Sequence, residues 1–485
     1  MDRRLTQWIA LALGSYSIYV SWAPITYAEP HSVLDQLEEL RYALDRAELA
    51  NSAVRKELDE ARARSSDDWL SQQRVETITE LVQDVIADSD SRLALQGSGA
   101  MMGWSDGFRL ASADGQFLLN IGGVSQTRFF ARWQGLQGDL NPNYDRWRAG
   151  FSMPRTQLKF GGHAFGRGLE YYLETGWGYY DPSNFTTDVN LMALRLWDAW
   201  VKFRLTPEIG LKIGQFNLPF TRETLVRPPY HLAIEKTNVD FRMGLGNAAG
   251  VQLDWANHDR RFLLALSNGS GALFHVLGQV DPVAPLAAFA EDTLYSITMR
   301  HEWKLLGDWD QFKQFTSPPG SERGLLIGLA GHRQNKERDF SDPSGGFPDG
   351  AFWGITGDVS MQFDGASLFG AIIYQRVTDF NLANPRANWL AAVVQGSTYI
   401  TNKTELYARW EGGGADRSIF GSNKLNLVTL GFNHYFDGQD MKFSSDIGFS
   451  LGEVSAVMAN TITGWSTDTS QRDQAVLRTQ LQLMF

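Results

Sequence analysis

The chain has 485 residues, of which 43% are hydrophobic and 20% charged, so it can fold as one large domain or as roughly two to three smaller ones. Its formal net charge of −11 argues against a nucleic-acid partner, because binding to phosphates requires a basic surface. The sequence has no cysteine, which excludes disulfides, catalysis by a thiolate and metal sites with cysteine ligands.

The first residues have the pattern of a secretory signal. The basic start MDRR is followed by a mostly apolar run from Trp8 to Trp22, and Thr26 and Ala28 are small residues placed for cleavage. We predict a signal peptide at 1–28. A retained membrane anchor is the alternative, although the run is short for a spanning helix. No other stretch approaches the about 18 continuous apolar residues of such a helix, so any further membrane span must consist of strands.

The segment 29–95 predicts a periplasmic coiled coil. From 33 to 61, apolar residues recur every three or four positions between closely spaced Glu, Arg and Asp residues. A single amphipathic helix is the alternative. A helix of this length would reach the cell wall, so peptidoglycan is a candidate partner. The predicted oligomerisation seam consists of Leu37, Leu40, Leu44, Asn51, Val54 and Leu58.

Beyond a Gly- and Ser-rich linker predicted at 96–115, the hydrophobic period changes from about 3.5 to 2. From residue 116 onward, sixteen segments alternate apolar and polar residues as strands do. In one of them, Ile355 and Val359 oppose Thr356 and Asp358. The predicted strands start near residues 117, 151, 169, 193, 209, 249, 260, 293, 323, 352, 367, 390, 404, 425, 441 and 474.

The connections between these segments alternate in length. Short turns, such as 166–168 and 402–403, alternate with long polar or Gly- and Pro-rich loops, such as 134–150 and 218–248. Lipid satisfies no backbone polar group, so a sheet in a membrane must close on itself. We therefore predict an all-β fold, a 16-stranded antiparallel transmembrane β-barrel over 116–485, with a soluble sandwich or propeller as the alternative. The pattern does not explain 305–322, a long connection on the side of the short turns.

The last predicted strand must pair with the first one, because closure removes both edges of the sheet. Leu481, Leu483 and Phe485 fall on one face of this strand, opposite Gln480 and Gln482. This ending resembles the terminal signal of outer-membrane proteins, which the assembly machinery reads. We expect the three apolar residues to act as that assembly signal.

Several stretches resemble the phosphate-selective porin family of the bacterial outer membrane, which conducts phosphate and polyphosphate. They are DGFRLASADGQFLLNIGGVSQTRFF at the first strand, PRTQLKFGG at the second, LWDAWVKFRLTPEIGLKIGQFNLPFTRE at 196–223 and LVTLGFNHYF at 427–436. The resemblance implies a trimer of sixteen-stranded barrels, each with a channel narrowed by an inward-folded loop and lined by basic groups. The loop 218–248 occupies the place of that constriction loop.

Basic residues on the predicted inner faces and on the loop form a candidate anion path, since rings of charge set the selectivity of a pore. Acidic residues on the same faces, among them Glu174 and Asp198, make the signs mixed. The pore-lining candidates are Arg128, Arg132, Arg155, Lys159, Lys202, Lys212, Arg222 and Arg227.

We predict an outer-membrane porin for passive diffusion of small hydrophilic solutes, with anions such as phosphate preferred. One alternative is a structural protein that tethers the envelope through the coiled coil, and another is a saccharide channel in which Tyr172, Trp200 and Tyr407 stack sugars. The expected partners are outer-membrane lipid, further copies in a homotrimer and small anionic solutes. No enzymatic activity, cofactor or metal is expected, because the sequence lacks a P-loop, an HExxH pair and a Gly-x-Ser-x-Gly motif.

Overall fold

The computed structural model describes residues 100–104, 107–136, 147–177, 195–269, 293–336, 350–378, 386–416, 424–452, 454, 463–465 and 471–485. The predicted signal peptide and the predicted coiled coil lie outside these residues. No helix in the described part of the chain is long and apolar enough to cross a membrane.

Eighteen strands form in the described residues, and every pairing between them is antiparallel. The two short strands β1 (Ala100–Trp104) and β2 (Phe108–Ser112) form a hairpin. The remaining strands are β3 (Leu118–Leu136), β4 (Trp147–His163), β5 (Leu169–Trp177), β6 (Arg195–Arg204), β7 (Ile209–Asn217), β8 (Asn247–Ala256), β9 (Arg260–Ser267), β10 (Thr293–Leu306), β11 (Gly324–Lys336), β12 (Gly350–Phe363), β13 (Ala366–Thr378), β14 (Arg386–Thr401), β15 (Thr404–Ala415), β16 (Lys424–Asp437), β17 (Met441–Ser450) and β18 (Gln471–Met484).

From β3 to β18, each strand pairs with the next one along the chain, and β18 pairs with β3. The described strands therefore close into the predicted 16-stranded antiparallel barrel. Each predicted segment corresponds to one of these strands. The largest differences in start position are 151 against Trp147 and 390 against Arg386.

The predicted linker at 96–115 overlaps the hairpin of β1 and β2, so strand structure begins earlier than the sequence pattern indicates. The pattern misses this hairpin because each strand is only 5 residues long and lies among glycines. β2 pairs with β3 over Leu118–Ile121, whereas β18 pairs with β3 from Val124 onward. β2 and β18 thus pair with successive parts of the same edge of β3.

Phe485 lies where these two pairings meet. Its backbone exchanges hydrogen bonds with Gly123, at 2.6 Å for the bond that Gly123 donates and 3.2 Å for the one that Phe485 donates. A Cβ at position 123 would lie 2.5 Å from the Phe485 ring, so only glycine leaves room for the ring against β3. The aromatic ring therefore belongs to the closure of the barrel.

Side chains alternate between the two faces of the wall, as predicted. In β18, Leu477, Leu481 and Leu483 are 40%, 46% and 48% exposed, whereas the intervening inward-facing arginine and glutamines are buried. The same alternation holds in β12 and β15. The barrel is therefore apolar outside and polar over much of its inside, which is the distribution required for contact with lipid hydrocarbon.

Two connections are relevant to the interior. The connection between β7 and β8 contains helix α1 (Arg222–Leu225), a 3₁₀ turn at Pro228–Tyr230 and helix α2 (Asn238–Met243). Thr237 caps α2 by accepting a hydrogen bond from the Asp240 amide at 3.0 Å. The connection between β10 and β11 contains a 3₁₀ turn at Gln311–Lys313 and lies on the side of the short turns.

We expect Gly123→Val to lower the yield of folded barrel, because the added side chain would displace the Phe485 ring. Overpacking of this kind costs about 1–3 kcal/mol. The measurement is the fraction of full-length protein that shows the heat-dependent gel mobility of a folded barrel.

Gly331→Val is the matched control, since this outward-facing glycine has no neighbour nearer than 4.0 Å to an added Cβ. Equal yields for the two single variants would contradict the assignment of Phe485 to the closure.

Candidate functional site in the barrel interior

The connection 218–246, called the inner loop below, is folded into the barrel. Its side chains are mostly buried, and Leu218, Phe220 and Val239 are fully so. This is the location that the family resemblance implies for a constriction loop. A backbone segment that leaves water must find a partner for each polar group, so its contacts with the wall determine its position.

Glu235 is the main ionic anchor of the inner loop. Its carboxylate accepts a hydrogen bond of 2.8 Å from Arg128 on β3 and is also bonded to Arg155 on β4. Arg409 on β15 donates to the Glu235 backbone carbonyl at 2.7 Å. Burial alone would raise the pKa of Glu235, but the two guanidinium groups of Arg155 and Arg128 outweigh it and hold that pKa below its usual range.

Other wall side chains donate to backbone carbonyls of the inner loop. Arg300 on β10 donates to Phe220 at 2.9 Å, and Asn433 on β16 donates to Leu232 at 2.8 Å. Lys442 on β17 donates to Pro229 at 2.8 Å. Polar wall residues thus replace the water that these carbonyls lose when the loop enters the barrel.

The loop also packs against an apolar part of the inner wall. Apolar residues of the loop share one buried cluster with inward-facing residues of β11 to β16. The residues of this cluster on β11 to β16 are Ala330, Phe352, Phe369, Ile373, Ala387, Trp389, Ala391, Val393, Tyr407, Leu425 and Leu427. On this side, protein fills the interior.

The long connection between β10 and β11 meets the tip of the inner loop. The Phe315 amide donates to the Tyr230 carbonyl at 3.2 Å, and the Phe315 ring centre lies 5.7 Å from that of His231. Burial lowers the pKa of His231 to about 4, so its ring is neutral at neutral pH and donates to the Val226 carbonyl at 2.9 Å. The unusual length of this connection is thereby explained, since the segment enters the short-turn end of the barrel and supports the loop.

The wall formed by β4 to β8, called the polar wall below, is different, because several of its inward-facing side chains retain contact with solvent. Arg155 and Lys202 are 13% and 26% exposed, and Arg227 on the loop is exposed. On this wall the Tyr172 and Trp200 rings stack with centres 5.6 Å apart. The two residues are directly opposite each other on β5 and β6.

A cation lies against each of these two rings. The Arg227 guanidinium is 4.7 Å from the centre of the Tyr172 ring, and the Lys212 Nζ is 5.2 Å from the centre of the Trp200 ring. The aromatic pair therefore holds two cations, one from the loop and one from the wall. We call Lys159, Lys212 and Arg227 the cation group.

The side chains of the cation group form no ion pair within 4 Å and no hydrogen bond with any described residue. Two carboxylates on the same wall are bonded only to neutral groups. Glu174 accepts from the Tyr172 hydroxyl at 2.6 Å, and Asp198 accepts from the Asn247 amide at 2.6 Å. This wall thus presents charges that the protein itself leaves unpaired.

The predicted pore-lining residues divide into two sets. Lys159, Lys202 and Lys212 lie on the polar wall, and Arg227 lies beside it on the inner loop. Lys202 forms an ion pair with Asp254 at 2.6 Å. The side chains of this first set retain exposure.

The second set serves the inner loop or the packing of the interior. Arg128 and Arg155 bind Glu235, as described above. Arg132 is buried and donates to the Gly464 carbonyl at 3.2 Å, and buried Arg222 lies 3.9 Å from Glu302. Sequence reasoning missed Glu235, and the signal that could have identified it is the need of two inward-facing arginines for a buried partner.

The aromatic residues suggested for sugar stacking are not arranged for that role. One face of Tyr172 is covered by Arg227 and one face of Trp200 by Lys212, while the two rings stack on each other. Tyr407 is buried and donates its hydroxyl proton to Asp446 at 2.9 Å. Within the described residues, no group of three or more His, Asp or Glu side chains is placed to hold a metal ion.

Comparison with solved structures identifies barrels of the same kind. The anion-selective porin from Comamonas acidovorans is 14% identical, with a TM-score of 0.52 and a match covering 76% of this chain and 99% of that chain. The outer membrane channel DcaP of Acinetobacter baumannii is 10% identical, with a TM-score of 0.49 over 76% and 97%. Salmonella typhi OmpF in complex with daunomycin is 11% identical, with a TM-score of 0.49 over 79% and 100%.

The likeness to the Comamonas protein shows that this chain has the barrel fold of outer-membrane porins. No protein-family model matches the sequence, and comparison with curated proteins finds no match. The phosphate-selective family is thus an expectation from sequence resemblance, whereas the porin fold is shown.

We expect Glu235→Gln to loosen the inner loop, because Arg128 and Arg155 would lose their shared carboxylate in a buried site. Breaking a buried ion pair costs about 3–5 kcal/mol. Limited trypsin digestion of the folded protein measures the effect as faster cleavage at Arg227 or Lys236. Glu208→Gln, a change in an exposed turn, is the control, and equal cleavage rates for the two variants would count against the anchoring role.

The lowered pKa of Glu235 also predicts a pH dependence. An unfolded glutamate titrates near pH 4.3, so stability from this group is fully present above about that value and is lost as pH falls through the lower folded pKa. The difference in loop protection between wild type and Glu235→Gln should therefore stay constant from about pH 7 to about pH 5 and shrink in stronger acid. Hydrogen exchange of loop amides measures it, and a difference that vanishes above about pH 6 would contradict the assignment.

Proposed function

We propose that this chain is a porin of the bacterial outer membrane through which small hydrophilic solutes diffuse passively, with a preference for anions such as phosphate. The observation that carries the proposal is the cation group, whose three charges are unpaired on the wall where the interior retains contact with solvent. The porin fold and the apolar outer surface support the location in lipid.

Arg227 is the most available member of the cation group. Its guanidinium is held from one side by Tyr172, and its N–H groups donate to no described residue. A guanidinium has five donors in a planar arrangement that suits carboxylate and phosphate oxygens. An anion that passes the inner loop can therefore replace hydrogen bonds to water with hydrogen bonds from the N–H groups of Arg227.

Electrostatics favours anions over cations here by a modest amount. Lys159, Lys212 and Arg227 outnumber the unpaired carboxylates Glu174 and Asp198. Charges close to protein are screened less than charges in open water, so this excess acts on a passing ion. The Comamonas porin with the same fold is described as anion-selective, and we propose the same property for this chain.

The remaining assignments are proposals that rest on the sequence. They are the signal peptide at 1–28, the coiled coil at 29–95 with peptidoglycan as its candidate partner, the assembly role of Leu481, Leu483 and Phe485, and a homotrimer. The division of the chain into these regions and the barrel domain 116–485 is part of the same proposal.

We expect Lys159→Gln/Arg227→Gln to reduce the preference for chloride over potassium. A unit charge about 7 Å from a passing ion changes its energy by about 0.6 kcal/mol even in bulk water, which corresponds to about threefold for each charge removed. The measurement is the reversal potential in a potassium chloride gradient across a planar bilayer.

Arg323→Gln, which removes an exposed cation outside the polar wall, is the control. A reversal potential that is unchanged in the double variant would refute the anion path. Failure of the wild-type protein to conduct ions would refute the porin itself.

A further inference from the structure

We propose that the polar wall binds a dipolar solute, one that carries a carboxylate and an ammonium group in the same molecule, as a free amino acid does. This inference rests on the proposed porin function and specifies the solute class of the same site. It follows from the way unpaired charges of both signs are arranged on β4, β5 and β6.

Three of these charges form a row across neighbouring strands. Lys159 on β4 is directly opposite Glu174 on β5, and Glu174 is directly opposite Asp198 on β6. All three side chains point inward. Directly opposite residues have Cβ atoms about 4.5–5.5 Å apart, so Glu174 and Asp198 form a close pair of like charges.

Neutral donors orient these carboxylates without neutralising them. The Tyr172 hydroxyl bonds to Glu174 and the Asn247 amide bonds to Asp198, both at 2.6 Å. No cation lies within 4 Å of either carboxylate among the described residues. An ammonium group placed between the two would relieve their repulsion and donate a charge-assisted hydrogen bond to each of them.

Cations lie one inward-facing position away along the same strands. Tyr172, which holds Arg227, is two residues from Glu174 on β5, and Trp200, which holds Lys212, is two residues from Asp198 on β6. Two residues along a strand correspond to about 7 Å. The wall therefore has one level with the two carboxylates, flanked by Lys159, and at that separation a second level that holds Arg227 and Lys212.

A solute with the charge separation of an α-amino acid fits both levels. Its nitrogen and carboxylate oxygens are about 3 Å apart. With a hydrogen bond of about 2.8 Å at each end, it bridges roughly 8–9 Å between protein groups. A simple anion would meet the two carboxylates, and a simple cation would meet the cation group, so a dipolar solute is the best complement.

The test uses single-channel recordings of the full-length protein in potassium chloride with serine added on one side. We expect serine to reduce the current in a saturable way, whereas glycerol, sodium acetate or methylammonium chloride at the same concentration does not. In Glu174→Gln/Asp198→Asn, the half-saturating serine concentration should rise by at least about threefold, because a carboxylate interaction of about 0.6 kcal/mol or more is lost.

Lys212→Gln/Arg227→Gln removes the opposite end of the site and should raise the half-saturating concentration as well, which keeps the test valid if the first variant does not fold. The control is Glu322→Gln/Asp310→Asn, in which two exposed carboxylates outside the wall are neutralised.

Two outcomes would overturn the inference. They are equal effects of serine and glycerol on the wild-type current, and unchanged serine block in both wall variants. If either occurs while the current remains anion-selective, the dipolar site is wrong and the proposed porin function stands. Absence of any wild-type current would instead refute the porin function and this inference together.

Discussion

Glu235 is the charge on which the arrangement of the barrel interior depends. It is a carboxylate carried into the barrel by the inner loop, and two wall arginines compensate the free energy that its burial would otherwise cost. Because Arg128 and Arg155 are on adjacent strands and Arg409 holds the same residue from β15, the loop is fixed between two sides of the wall. Glu411 on β15 adds a second attachment, because it accepts hydrogen bonds from Asn238 and from the Val239 amide of α2.

The inner loop divides the interior into two environments. Toward β11 to β16 it presents apolar side chains to an apolar wall, so the contact resembles the core of a water-soluble protein. Toward β4 to β8 it presents Arg227 to a wall of charges and aromatic rings that retain solvent. Within the described residues, the interior side chains of β4 to β8 that retain solvent contact thus lie beside Arg227 of the inner loop.

Much of the barrel was predictable from the sequence, because apolar and polar residues alternate along each strand according to the face on which they lie. The alternation in β12 and β15 indicates which residues point inward. The pairing of the strands into a closed barrel does not depend on which side chains fill the interior. The contents of the interior were less predictable. Arg128 and Lys159 have the same inward position in the pattern, yet one binds Glu235 and the other is unpaired, because only the folded loop determines which wall charge meets a partner. The segment that contains Phe315 was unexplained for the same reason, since its role is a contact with a distant loop.

The hairpin of β1 and β2 has a consequence for the size of the barrel. A closed sheet can in principle form with several offsets between its first and last strands, and the offset determines strand tilt and diameter. Since β2 occupies β3 over Leu118–Ile121, β18 cannot slide toward that end without displacing it. Sliding by one residue would also turn the leucines of β18 inward. The hairpin thus permits only one offset between β18 and β3. Because this offset determines the diameter, the hairpin helps to fix the circumference of the barrel.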